Sequence, residues 1–316
     1  MSPTSSKRKA QQPPHDDDDN DEETNDDDHS DVQMIDVSFE FFDPQPQDYQ
    51  SIKLLLQQLL SGDSIELDTS SIANLVIEQK LVGTTVKTDG GNQGDPYAVL
   101  TVLNLNVHKE REGVQDLIKY IMTKSINNPP LHDQLTELLS TSVQDSSETN
   151  PKHVGLVLCE RLVNMPAQIV PPMYKMLVEE LQWAREDGEP YHFSHLLFLS
   201  RVFIASMNQL DQDPNAGLMS TEENQIKSTS KTSKKAKKGQ HVDSQTKDEE
   251  QTWMYHPEDE VIARYAQHQH VFKFSHSNKQ SNAEQDSFGV LTKGQLMLIP
   301  WLKFENVVKE MEEYLK

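Results

Sequence analysis

Apolar positions along the chain follow two spacings, and each change of spacing predicts a change of element. In "IDVSFEFF", Ile35, Val37, Phe39 and Phe41 alternate and predict one face of a strand. After "DPQPQ", residues 48–60 take helical spacing, with Ile52, Leu55, Leu56 and Leu59 on one side. Asp48 is placed to cap this helix and Gly62 to stop it. Residues 68–80 repeat the scheme, with Ile72, Leu75 and Val76 inward. "LVGTTVKT" (81–88) and "YAVLTVLNLNV" (97–107) predict two strands joined by the turn-rich "DGGNQGDP". Residues 113–126 predict a helix that buries Val114, Leu117, Ile118 and Ile121. "LHDQLTELLS" predicts a shorter helix after Pro129 and Pro130.

The middle of the chain carries "VGLVLCERLVNMPAQIVPPMYKMLVEEL", residues 154–181. Both alternating sets of "VGLVLC" are apolar, as in a central strand covered on both faces. Pro171 and Pro172 suit the first turn of a helix, which would bury Met173, Leu177, Leu181 and Ala184. Residues 192–205 predict a long strand, and 258–268 a helix after Pro257. "HVFKFSH" and "GQLMLIPW" predict strands, and "LKFENVVKEMEEYLK" a closing helix on Phe304, Val307, Val308, Met311 and Leu315. Strands and helices interleave, so the fold class expected is α/β, a mixed central sheet with helices on both faces.

Two segments stand outside this pattern. Residues 1–34 hold "HDDDDNDEETNDDDHSD", and about 207–252 are rich in Asn, Gln, Ser, Thr, Lys and Asp. Neither has the apolar surface to offset its ordering entropy. The expected organisation is an acidic disordered tail (1–34) and one domain (35–316) with a disordered lysine-rich insertion (207–252). The net charge of −22 disfavours nucleic acid and anionic membrane and favours a basic partner. A single cysteine excludes an internal disulfide and fits a reducing compartment. The first residues do not predict a signal peptide, and no apolar run is long enough to span a membrane.

Candidate chemistry is sparse. Cys159 would need a histidine base, and His153, His192 and His195 are the nearest in sequence. A thiol at the end of an apolar strand is expected to act as a small hydrophobe. Glu160 and Arg161 have two readings, a charged pair shaping a binding edge or the point where the strand leaves the core. His268, His270 and His276 match no standard metal spacing. The expected catalytic, cofactor and metal residues are therefore none. Lys234, Lys235, Lys237 and Lys238, in "KSTSKTSKKAKKG", are candidate contacts for a nuclear-import receptor, with "SKRK" at 6–9 a weaker second run. Asp16, Asp17, Asp18 and Asp19 are candidate contacts for a basic client.

From "VSFEFFDPQPQDYQSIKLLLQQLL" through "ERLVNMPAQIVPPMY" to "LMLIPWLKFENVVKEMEEYL", the chain resembles the BCCIP family over roughly residues 35–316. The resemblance implies an acetyltransferase-like (GNAT-like) fold and a location in nucleus and cytoplasm. It implies a non-enzymatic chaperone or escort of a large-subunit ribosomal protein in ribosome biogenesis and nuclear export, with import and export receptors as further partners. Its alternatives are an acetyl-CoA-dependent acetyltransferase and a cell-cycle or DNA-repair adaptor. An acetyl-CoA site needs a Q/R-x-x-G-x-G/A turn between strand and helix, so that backbone N–H groups hold the pyrophosphate. "ERLVNMPAQIVPP" stands in that place without a glycine, and its prolines lack amide donors. No cofactor is expected.

Overall fold

The computed structural model describes residues 38–88, 93–206, 250–276 and 291–316, within the unit Val37–Lys316. The acidic tail, the import lysines and most of the insertion lie outside the described residues. The strands are β1 (Glu40–Phe42), β2 (Thr84–Lys87), β3 (Ala98–Asn104), β4 (His153–Arg161), β5 (Phe193–Ser206), β6 (Glu250–Met254), β7 (His268–Phe272) and β8 (Leu291–Pro300). They form one mixed sheet in the order β1-β2-β3-β4-β5-β8-β7, with β6 also on β5. Every pairing is antiparallel except the central one, β4 with β5.

Helices cover both faces, as the alternation in "VGLVLC" predicts. On one face α1 (Tyr49–Leu60), α2 (Thr69–Glu78), α4 (Glu112–Ser125) and α5 (Pro129–Ser140) pack on Val154, Leu156 and Leu158. On the other, α6 (Val170–Glu186), α7 (Glu258–Tyr265) and α8 (Phe304–Tyr314) pack on Leu100, Val102 and Val157. A short α3 (Leu105–His108) follows β3. Among the described residues no helix is long and apolar enough to cross a membrane.

Three local departures have physical causes. Asp48 does not cap α1 with its side chain. Its carboxylate is buried against Lys87 Nζ at 2.8 Å and accepts Gln45 N–H at 2.9 Å. α1 ends before Gly62, at Ser61, whose φ of 49° lies in the left-handed region. The strand from Ala98 stops at Asn104 because the Asn104 side chain accepts from the amides of Asn106 and Val107 and starts a helical turn.

Candidate functional site

The strand lengths create one irregularity at the centre of the sheet. β4 keeps its pairing with β3 as far as Arg161, but its parallel register with β5 ends at Val157 and Phe198. Along the same side of β5, β6 begins its pairing at Val202. The interval at Leu199–Arg201 is left to the chain coming off β6, where Tyr255 N donates to Arg201 O at 3.1 Å. His256 then reaches Glu160, beside Gln58 of α1. Two residues on, Glu258 reaches Arg161, on the face of Cys159 and α6. This segment therefore crosses the sheet through the opening between β4 and β5.

The crossing is filled by buried polar groups. Glu160 accepts from Gln58 Nε2 at 2.9 Å, Arg201 NH2 at 2.8 Å and His256 Nε2 at 3.0 Å. Burial pushes the Glu160 carboxyl up, but the His256 hydrogen bond and the Arg201 charge together hold it below its usual range. The Arg201 guanidinium lies on the Tyr255 ring, 3.8 Å from its centroid. Arg161 bonds both Glu258 oxygens at 3.3 and 3.2 Å and donates to Met165 O at 2.9 Å. Asp259 accepts from the Ser200 hydroxyl. Its carboxyl is pushed up to about 7, by burial first and the Glu258 charge second. The structure thus answers both readings of Glu160 and Arg161. They do not line an open edge, because both are buried and bonded within the core; they are the last residues of β4, and the chain leaves the core just beyond them, where Val163 is exposed.

Cys159 lies beside this network and packs with the α6 cluster. Burial pushes its thiol well above the usual value, and the charges of Glu258, Asp259 and Glu160 push the same way. Such surroundings suppress the thiolate a nucleophile needs. His153 and His195 stand at the opposite ends of their strands. His153 bonds Asn104 at 3.0 Å, and His195 bonds Gln134 at 3.1 Å. Six residues of strand put His153 roughly 20 Å from Cys159.

The histidines considered for metal are not brought together as a set. His268 and His270 sit on β7, opposite Leu298 and Leu296. His276 lies 2.9 Å from Glu66, and with Asp63 these residues place ligand atoms within 4.8 Å of one another. Asp63 is already satisfied by Lys124 Nζ at 2.6 Å, Tyr120 OH at 3.1 Å and Ser275 N at 2.6 Å. One of the three would-be ligands is thus already paired with a lysine.

The loop after β4 closes on itself. Met165 N donates to Leu162 O at 3.0 Å and Ile169 N to Pro166 O at 3.4 Å, before α6 starts at Val170. An open cleft of about 440 Å³ lies elsewhere, between the end of α2, α3 and the loop before β5. In its wall Gln79 donates to Thr101 at 3.0 Å and Tyr191 to Gln79 at 3.4 Å.

This chain has relatives. The family model described as BCCIP matches residues 34–262. The chain belongs to the BCCIP family. Protein bcp1 of Schizosaccharomyces pombe is 37% identical over 286 residues, covering 90% of this chain and 91% of its own length. Protein bcp1 of Aspergillus fumigatus is 39% identical over 290 residues, covering 90% and 89%. The crystal structure of BCP1 from Saccharomyces cerevisiae matches with a TM-score of 0.56 and 20% identity, over 92% of this chain and 94% of that one. At that identity the likeness is one of fold. The family match ends at Ile262, so it takes in Glu160, Arg161, Arg201, His256, Glu258 and Asp259 of this BCCIP-family chain.

Proposed function

We propose that this BCCIP-family protein is a non-enzymatic escort that binds and shields a basic client, a large-subunit ribosomal protein, in ribosome biogenesis and nuclear export. The observation that carries this reading is the filled opening between β4 and β5. The guanidiniums gathered at the centre of the fold are consumed by Glu160 and Glu258, which leaves the surface as the part that meets a client. That surface belongs to a chain with a net charge of −22, suited to replacing the phosphates a ribosomal protein would otherwise seek. The acidic run from Asp16 to Asp19 is the proposed capture element, and 1–34 and 207–252 are its proposed tail and insertion. The mixed sheet and the unit β4–loop–α6 support an acetyltransferase-like fold. The glycine-free loop with its inward-bonded amides supports an acetyl-CoA site lost from it.

Passage between nucleus and cytoplasm is assigned to Lys234, Lys235, Lys237 and Lys238 on import, and to a receptor on export. The test is a pull-down in low and high salt. A basic large-subunit ribosomal protein should be retained at low salt and weakened at high salt. Saturable micromolar binding of acetyl-CoA in calorimetry would replace the escort with an acetyltransferase. Salt-independent capture of cell-cycle or repair proteins would replace it with an adaptor.

A further inference from the structure

The cluster at the strand opening contains more acid than base. Three buried carboxylates, Glu160, Glu258 and Asp259, stand with two buried guanidiniums, Arg161 and Arg201, and one imidazole, His256. Arg161 is matched by Glu258 and Arg201 by Glu160. Asp259 is left with the Ser200 hydroxyl. An unmatched carboxylate in a site from which water is excluded is costly to ionise. The cluster balances when Asp259 and His256 together hold one proton beyond the neutral imidazole and ionised carboxylate. His256 Nε2 is taken up by Glu160 at 3.0 Å, while Asp259 has the Ser200 hydroxyl beside it and the Glu258 carboxylate close by, so burial and that neighbouring charge favour its protonated form.

The groups facing Asp259 come from every element around it. They are Cys159 and Glu160 on β4, Ser200 on β5, Tyr174 on α6, and His256 and Glu258 on its own segment; Arg161 and Arg201 enter through their pairs with Glu258 and Glu160. The other side of α7 is held by the ion pair of Arg264 with Glu310 at 2.6 Å and by Tyr314 OH donating to Glu260 at 2.5 Å. Those bonds reach α8 and leave the seat in the sheet to the cluster.

We propose that Tyr255–Tyr265 is a proton-operated latch, seated in the opening between β4 and β5 while Asp259 is protonated and loosened when that proton is lost. The direction follows from the raised folded value, from 3.8 to about 7. The stabilisation is complete below the unfolded value and is lost as pH rises through the folded one. Unseating the latch would uncover Val261 and Ile262, which are fully buried when it is closed.

Hydrogen exchange of the full-length protein tests this through protection factors, with the intrinsic pH dependence removed. Amides of Val261, Ile262 and Ala263 should lose protection by up to about tenfold per pH unit between pH 5 and 7, then level off above pH 7.5. Asp259→Asn, checked for its fold by circular dichroism, should give a flat profile. The wild-type Asp259 carboxyl carbon, followed by NMR, should titrate near neutrality whether or not the variant folds. A carboxyl midpoint below pH 5 would overturn the latch. So would flat wild-type protection, or an undiminished slope in Asp259→Asn.

Discussion

His256 Nε2 and Glu160 Oε1 lie 3.0 Å apart and 96 positions apart in the chain. The bond ties the segment after β6 to the end of β4 at the point where β4 has left β5. With Arg201 it makes Glu160 the hub of a buried network, so the centre of this sheet is held by charge as well as by packing.

Removing the hub should be expensive. Glu160→Ala leaves Arg201 buried without its 2.8 Å partner. Breaking a buried pair from one side costs about 3–5 kcal/mol, because the remaining charge is uncompensated. Urea unfolding should show that loss. Glu66→Ala, which removes an exposed carboxylate from His276, should cost under about 1 kcal/mol. Equal losses at the two positions would refute the ranking.

The acid limb of stability should also depend on Glu160. Its folded pKa lies below the usual 4.5, through His256 and Arg201 acting against burial. The folded state therefore takes up this proton later than the unfolded chain as pH falls. The contribution is present above the unfolded value and is lost on going down through the folded one. Glu160→Gln should be less stable than wild type at pH 6, and the gap should narrow towards pH 3. A gap that stays constant would mean that His256 and Arg201 do not favour the ionised form.

How much of this could be read from the chain depended on how local each cause is. Asp68 caps α2 through Ser70 and Ser71, two and three positions away, a cause that lies wholly in local sequence. Asp48 has the same type and place but pairs with Lys87, 39 positions away, which no local pattern reveals. The strand Glu250–Met254 follows a long polar stretch and has no clean alternation, so pairing with β5 makes it a strand. At the centre, "CER" marked the end of a strand correctly. Apart from Met165 nearby, the partners of Glu160 and Arg161 come from positions 58, 201, 256 and 258, and only the topology collects them.

Cys159 should prove structural. Cys159→Ser replaces the thiol with a hydroxyl that can still meet Tyr174 but places a more polar group against the α6 cluster, so a loss of about 1 kcal/mol is expected. Client capture should be unchanged. In the folded wild type the thiol should react with iodoacetamide far more slowly than in urea. A folded serine variant without client binding would show that the thiol acts chemically.

Gly155 tests the packing of the only parallel strand pair among the described residues. A Cβ built there would lie 2.7 Å from Val102 Cγ2 and 2.9 Å from both Leu196 Cδ2 and Phe193 Cζ. Three neighbours would have to move at once in a close-packed layer, and overpacking of this kind costs about 1–3 kcal/mol. Gly155→Ala should lower the urea midpoint with little change in its slope. Gly188→Ala, with no atom within 4 Å of its Cβ, meets no such neighbours, and its cost arises from φ of 83° alone. An unshifted midpoint in Gly155→Ala would mean that the strands separate more easily than this packing implies.

The proposed capture role of the tail has a kinetic signature. Residues 16–31 contain eleven acids: Asp16, Asp17, Asp18, Asp19, Asp21, Glu22, Glu23, Asp26, Asp27, Asp28 and Asp31. A run of one charge attracts a basic client without fixing a contact geometry, so it should act on association more than on specificity. At physiological salt the Debye length is about 8 Å, which limits the help to near approach. Deleting residues 1–34 should slow association several-fold at low salt, measured by stopped flow with the client recovered in the pull-down. The difference should shrink as salt rises, and residues 35–316 should still bind and discriminate among basic proteins. An unchanged rate at low salt would remove the tail from capture. Complete loss of binding would move the selectivity out of the folded domain and into the tail.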